Sequence, residues 1–170
     1  MKKFSLADSI LFENDDYLIL NKPPGLSTME DRSTGSNLFK SAKEYFEDVY
    51  ICHRLDKDTS GVIAFAKNED AHRHLSIQFE NRKVNKVYHA VIDGIHEYND
   101  VKVDKPIKVT GKGTVKVDFR QGKQSLTTFN SMEAFKMHTL VECKPHTGRT
   151  HQIRIHLSEL RSPITGDSNY

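Results

Sequence analysis

The stretch VYICHRLDKDTSGVIAFA (residues 49–66) sets a charged run between two apolar segments. VYIC (49–52) and GVIAFA (61–66) read as buried strands. Between them Arg54, Asp56, Lys57 and Asp58 fall within five positions, ahead of a Thr59-Ser60-Gly61 turn. Charged runs usually lie in water, whereas this one leaves the end of a core strand. A carboxylate held near a guanidinium stays ionised and has a constrained geometry. That describes a nucleophile or base, and it equally describes a structural ion pair. On these residues alone both readings stand.

The bulk composition narrows the class. A chain of 170 residues suits one domain over 1–170, and 36% hydrophobic with 28% charged residues is ordinary for a globular protein. No apolar run reaches membrane-spanning length, and MKKFSLADSI is too short and too soon acidic for a secretory signal. Cys52 and Cys143 sit in strand-like contexts without CxxC spacing, so neither a disulfide framework nor a zinc site is expected. A reducing cytoplasm fits that usage best. Net charge is only +2, but it is unevenly spread. Residues 102–123 hold seven Lys/Arg against Asp104 and Asp118, and residues 144–161 hold four against Glu159, with His146, His151 and His156 interleaved. A basic face of this kind suits a polyanion. For 102–123 alone, lysines guarding strand edges are the preferred reading.

The chain carries no internal repeat, low-complexity tract or Pro/Ser linker. SILFEND and YLILNK read as strands around Asn14-Asp15-Asp16, and KPPGL then forces a sharp stop. NLFKSAKEYFEDV places Leu38, Ala42, Tyr45, Phe46 and Val49 at helical spacing. NEDAHRHLSIQFE predicts a second helix capped by Asn68, with Glu69 and Asp70 on its N-terminal dipole and Ala71, Leu75 and Phe79 as a stripe. Strands are predicted at KVYHAVID, TVKVDFR, SLTTFNSM and HTLVECK, and a last helix at THQIRIHLSEL. The sum is an α+β chain with a mixed, mostly antiparallel sheet.

Two further segments carry candidate chemistry. In KVYHAVIDG (86–94) alternation puts Lys86, Tyr88 and Ala90 on one face, an odd set for a core. Tyr88 can offer a flat ring for a base to stack on, or it can be a half-buried tyrosine tying strands together. In KPHTGRTHQIRIHLSEL (144–160) a Thr-Gly turn leads to a helix from about Thr150. His151, Arg154, Ser158 and Arg161 would share one face of it, with Ile153, Leu157 and Leu160 buried. Arg149 precedes that helix, where exposed N–H groups favour anions. A plain cationic solvent face has the same pattern. TGKGT (110–114) lacks phosphate-loop spacing and reads as a hairpin tip, and neither the His72/His74 nor the His151/His156 pair has metal-ligand spacing on a helix. No Ser-His-Asp order is evident.

Taken together, LNKPPGL (20–26), HRLDKDTSGV (53–62), KVYHAVIDG (86–94) and HTGRTHQIRIHL (146–157), closed by PITGD (163–167), resemble the RluA-type pseudouridine synthases. The motifs follow the family's order over nearly the whole chain. The resemblance implies an α+β pseudouridine synthase-like catalytic domain: a long mixed, mainly antiparallel central sheet, flanking helices and a cleft across the sheet. It implies isomerisation of uridine to pseudouridine in structured RNA (ribosomal or transfer), with no metal and no organic cofactor, and separately the chain is expected to be a monomer. Position by position, Asp56 matches the essential aspartate and Arg54 the arginine that enters the stack as the uridine leaves. Tyr88 matches the active-site tyrosine, and Arg154 the arginine that pairs with the catalytic carboxylate. Lys86, Arg149 and His151 fall at neighbouring positions and are expected to contact RNA.

The chemistry accounts for these residue types. The N1–C1′ bond must break, the uracil must turn in place, and C5 must join C1′. One carboxylate suffices, attacking C1′ or removing a C2′ proton, whereas glycoside hydrolysis uses two. A base inside a helix must be flipped out at a cost of a few kcal/mol, and Arg54 is placed to fill the gap. The family continues past GDSNY with another motif and strand, so more sheet is expected beyond Tyr170. Arg161 stands where glycine is common after the helix, a substitution costing on the order of 1 kcal/mol if the backbone there is left-handed. No separate basic N-terminal RNA-binding domain precedes the motifs, so specificity is expected from the catalytic domain, a partner or RNA shape. Two rivals are a non-catalytic RNA-binding or chaperone module of the same fold, and a nucleoside or glycoside hydrolase with Asp58 as second carboxylate.

Overall fold

The computed structural model describes residues 4–30, 36–111 and 113–170. Two compact units make up the chain, Met1–Lys83 and Val84–Tyr170. Residues 1–3 of the N-terminal segment discussed above and Lys112 of TGKGT lie outside the described residues.

The first unit is a four-stranded antiparallel sheet with two helices. Its strands are β1 (Ile10–Glu13), β2 (Tyr17–Lys22), β3 (Tyr50–Ile51) and β4 (Gly61–Ala66), in the order β1-β2-β4-β3. Asn14 closes the first turn by accepting N–H groups from Asp16 and Tyr17 on its side chain. Along β2 the period-2 alternation buries Leu18, Leu20 and Lys22 on one face, with Leu20 opposite Ile63 and Leu18 opposite Phe65 of β4. Helix α1 (Leu38–Tyr45) is capped by the Asn37 side chain, and α2 (Glu69–Glu80) by Asn68, the latter as the sequence suggested. α1 is shorter than its apolar spacing implied. Within the helix only Leu38 and Ala42 are buried, Tyr45 is exposed, Phe46 already has extended backbone, and the buried Val49 lies beyond the helix end.

The second unit has the sheet order β5-β10-β9-β6, from β5 (Tyr88–Asp93), β6 (Val101–Asp104), β9 (Leu126–Ala134) and β10 (His138–Pro145), beside a hairpin of β7 (Ile107–Val109) and β8 (Val115–Val117). Every strand pairing among the described residues is antiparallel. With helix α3 (Gln152–Glu159) the chain is α+β, as expected. Ile92, Val103, Phe129, Val141, Cys143 and Leu157 form one core, against which Ile153 and Leu160 pack. The other side of α3 buries Ile155 with Ile107 and Val115 under the hairpin. The single buried stripe expected for this helix is therefore two, because the β7–β8 hairpin covers a second face. β6 is an edge strand whose Lys102 and Asp104 point to water while Val103 is buried, in keeping with the edge-guarding reading.

Candidate active site

The first unit presents Asp56 on a connection pinned at both neighbours. β3 stops at Ile51, two residues rather than the four the apolar run suggested, because the chain turns out of the ladder at Cys52. A side chain continues the pairing: the Ala64 N–H donates to His53 Nε2 at 2.9 Å, and the His53 ring stacks on Phe79. Leu55 is buried, and Thr28 holds its peptide from both sides. The Thr28 hydroxyl donates to Leu55 O (2.9 Å) and accepts the Leu55 N–H (3.2 Å). Lys57 O accepts from the Gly25 N–H and from Lys22 Nζ, both at 2.9 Å. Gly25 has φ +81°, a conformation suited to glycine, which lets the KPPGL turn reach this carbonyl. Asp56 itself is half-buried, whereas Arg54 is exposed, so the buried Leu55 separates two side chains of different exposure.

Lys22 is the residue that sequence reasoning missed here. It is fully buried, and its ammonium donates to Pro23 O (2.9 Å), Leu26 O (2.7 Å) and Lys57 O. Burial pushes its pKa down to about 8, while the Asp58 and Asp56 carboxylates pull the other way. The signal was available, since Lys22 continues the Leu18–Leu20 alternation onto the core face.

The second unit carries the other candidates. Tyr88 is half-buried on the face of β5 that also carries Ala90 and Ile92, opposite Cys143 of β10. Two residues earlier, Lys86 Nζ donates to Thr147 O at 3.1 Å, which joins it to the turn before α3. That turn is organised by Gln152. Its side-chain carbonyl accepts from the Thr147 hydroxyl (2.7 Å) and the Arg149 N–H (3.0 Å), and its amide donates to Leu126 O and Thr127 Oγ1. Thr127 and Lys105 O hold buried His156 through Nδ1 and Nε2, and desolvation lowers the pKa of that imidazole.

These bonds change two expectations. α3 begins at Gln152 rather than near Thr150, because His151 adopts left-handed backbone with φ 54° and breaks the helical run. The Arg149 N–H is taken by Gln152 rather than left for an anion, while Arg149 Nε donates to Gln124 O. Arg161 also falls beyond the helix, so the four-residue cationic face does not form as one helical stripe. Its backbone is left-handed at φ 59°. Arg161 N–H bonds to Ser158 O and Ser162 N–H to Leu157 O, a Schellman closure with arginine where glycine is favoured. His151 and Arg154 nevertheless meet at Tyr170. His151 Nδ1 lies 2.7 Å from its hydroxyl, and the Arg154 guanidinium sits 4.9 Å from its ring centroid. Arg154 makes a two-point pair with Asp167, which the sequence reading did not assign a role. The hydrogen bond from Arg154 is the chief cause that holds the Asp167 carboxyl below its usual range, against the opposing effect of burial.

Asp56 thus stands on a pinned turn of the first unit, and Tyr88 and Arg154 stand on β5 and α3 of the second. Compared with known proteins, the chain matches the family model described as RNA pseudouridylate synthase over residues 16–159. The chain belongs to that family. It is 37% identical to the uncharacterized RNA pseudouridine synthase YlyB of Bacillus subtilis, over 95% of this chain and 57% of that protein. It is 34% identical to the dual-specificity RNA pseudouridine synthase RluA of Vibrio cholerae, over 95% and 67%. The solved human RNA pseudouridylate synthase domain containing 1 superposes with a TM-score of 0.83 at 31% identity, covering all of this chain and 72% of that one. Relative to YlyB and to the ribosomal large subunit pseudouridine synthase C of Buchnera aphidicola, the chain spans just over half the length, 57% and 53%. The family resemblance and the α+β fold expected from the motifs both hold. Among the described residues no helix is long and apolar enough to cross a membrane.

Proposed function

We propose that the chain is an RNA pseudouridine synthase whose two units serve as one catalytic domain. Asp56 is its catalytic carboxylate, Tyr88 stacks on the uracil and is placed to take the C5 proton, and Arg154 steadies the carboxylate. Arg54 fills the gap left by the flipped nucleotide, and Lys86, Arg149 and His151 contact the RNA. The observation that carries this reading is the pinning of Asp56. Both flanking residues are held, Leu55 by the buried Thr28 and Lys57 by the buried Lys22 and the Gly25 N–H, while Asp56 between them is half-buried. A carboxylate fixed to one direction suits a reaction whose efficiency depends on orientation at C1′ or C2′.

In the reaction the N1–C1′ bond breaks, a C5–C1′ bond forms, C5 loses its proton and N1 gains one. No cofactor is required by that balance. The substrate is structured RNA. Relatives named for the ribosomal large subunit favour ribosomal RNA, and a dual-specificity relative keeps a second RNA class in view. A monomer acting in the cytoplasm is the setting this reading assigns.

The test is tritium release from RNA carrying 5-³H-uridine, with melting curves showing that both proteins are folded. Release by the wild type and not by Asp56→Asn is expected. RNA binding unchanged by Asp56→Asn, with no release from a folded wild type, would replace the enzyme with a non-catalytic binding module.

A further inference from the structure

The pair between Arg154 and Asp167 is built like an indexing device rather than a surface ion pair. Arg154 Nε donates to Asp167 Oδ2 at 2.6 Å and Nη2 donates to Oδ1 at 2.9 Å, with the two side chains only 18% and 6% exposed. A two-point fork fixes the guanidinium plane, and with it the direction of the three remaining N–H donors. The carboxylate is itself fixed, since the Asn169 N–H donates to Oδ1 at 3.0 Å. The Tyr170 ring lies against the guanidinium, and its hydroxyl is bonded to His151.

The anchor of Asp167 gives this pair a direction. The segment before it is stitched to β5, the strand that carries Tyr88. The Asp93 N–H donates to Pro163 O (3.0 Å), the Thr165 N–H donates to Val91 O (2.9 Å), and Ile164 bridges Ile92. The Thr165 hydroxyl also donates to the Asp93 carboxylate at 2.7 Å. Asp167 therefore refers a side chain on α3 to the backbone of β5. Leu157 of the helix and Ile92 of the strand also share one apolar core, and such packing resists sliding less than directed bonds do.

We propose that Asp167 is a positioning residue: it sets the guanidinium of Arg154 relative to β5 and so to Tyr88. The inference rests on the reading of Arg154 as the arginine that steadies the catalytic carboxylate. Asp167→Asn keeps the size of the side chain but puts an amide donor opposite an arginine donor, so the fork collapses to one bond.

The experiment compares wild type, Asp167→Asn, Asp167→Glu, Arg154→Lys and the double variant Asp167→Asn/Arg154→Lys in tritium release, below the melting temperature of each. The rate constant of Asp167→Asn is expected to fall on the order of 10–100-fold. KM for RNA should stay within about threefold, the pattern of a lost transition-state interaction. Asp167→Glu restores part of the rate, and Asp167→Asn costs little more once Arg154 is lysine. In ¹⁵N spectra of arginine side chains the wild type shows separate Arg154 Nη signals from a locked guanidinium, and Asp167→Asn averages them. Averaged signals in the wild type overturn the proposal, as do full activity in Asp167→Asn or independent effects of the two substitutions. Full activity in Arg154→Lys instead defeats the reading of Arg154, so the two failures are distinguishable.

Discussion

Replacing Lys22 by methionine tests whether the buried ammonium holds the Asp56 turn. Methionine keeps the stem's length and apolar packing and removes the charged head. Three charge-assisted bonds are lost, to Pro23 O, Leu26 O and Lys57 O. At roughly 1.5–3 kcal/mol each, they set a gross loss of about 5–9 kcal/mol. Two features reduce it. Lys57 O keeps the Gly25 N–H, and Pro23 and Leu26 are only half-buried, so water can reach their carbonyls. Removing a charge also returns its desolvation cost, the effect that pushes this lysine down to about 8. A net loss of about 3 kcal/mol is expected, within the range seen when one partner of a buried charge pair is deleted. In a chain of 170 residues that corresponds to a melting temperature lower by about 6–12 °C. Urea and thermal melts give the stability, and tritium release below both melting temperatures gives the rate. Because Lys57 follows Asp56, the rate constant should fall more than the affinity for RNA. Lys22→Met with wild-type stability and rate would refute the claim that the ammonium organises the turn.

His156 is buried neutral, and desolvation lowers its pKa, so the unfolded chain binds the extra proton first as pH falls. Its stabilising contribution is complete above about pH 6.5, the unfolded value, and declines as pH drops toward the folded one. Urea melts of wild type and His156→Gln should therefore converge below about pH 6.5; parallel curves would show that His156 does not titrate with unfolding. Arg161→Gly should leave stability unchanged or raise it by up to about 1 kcal/mol, since relief of the left-handed strain is offset by glycine's greater freedom when unfolded. A clear loss in a urea melt would mean that the arginine side chain contributes more than its backbone costs.

Much of this chain is readable from local rules. A short apolar run located β4, a turn signal between apolar segments located β2, alternation located β5, and Asn37 and Asn68 cap their helices because a side-chain carbonyl can serve only N–H groups a few residues on. Asp56, Tyr88 and Arg154 were marked as the candidate site by the resemblance of their motifs to a known family, since on their own residues a structural role stood equally open. Other features follow from contacts between residues far apart in sequence. The alternation puts Lys22 on the core face, but three carbonyls from two segments decide that a charge can be held there. Apolar count alone made β3 four residues long, but the chain leaves the ladder after Ile51 and the His53 side chain takes up the next bond on β4. The same holds for α3, where the left-handed His151, the second apolar face beneath β7–β8 and the Asp167 fork all depend on what the fold brings near. Propensity and periodicity act over one or two turns of chain. The orientation of a guanidinium or the burial of an ammonium depends on partners that chain proximity does not supply.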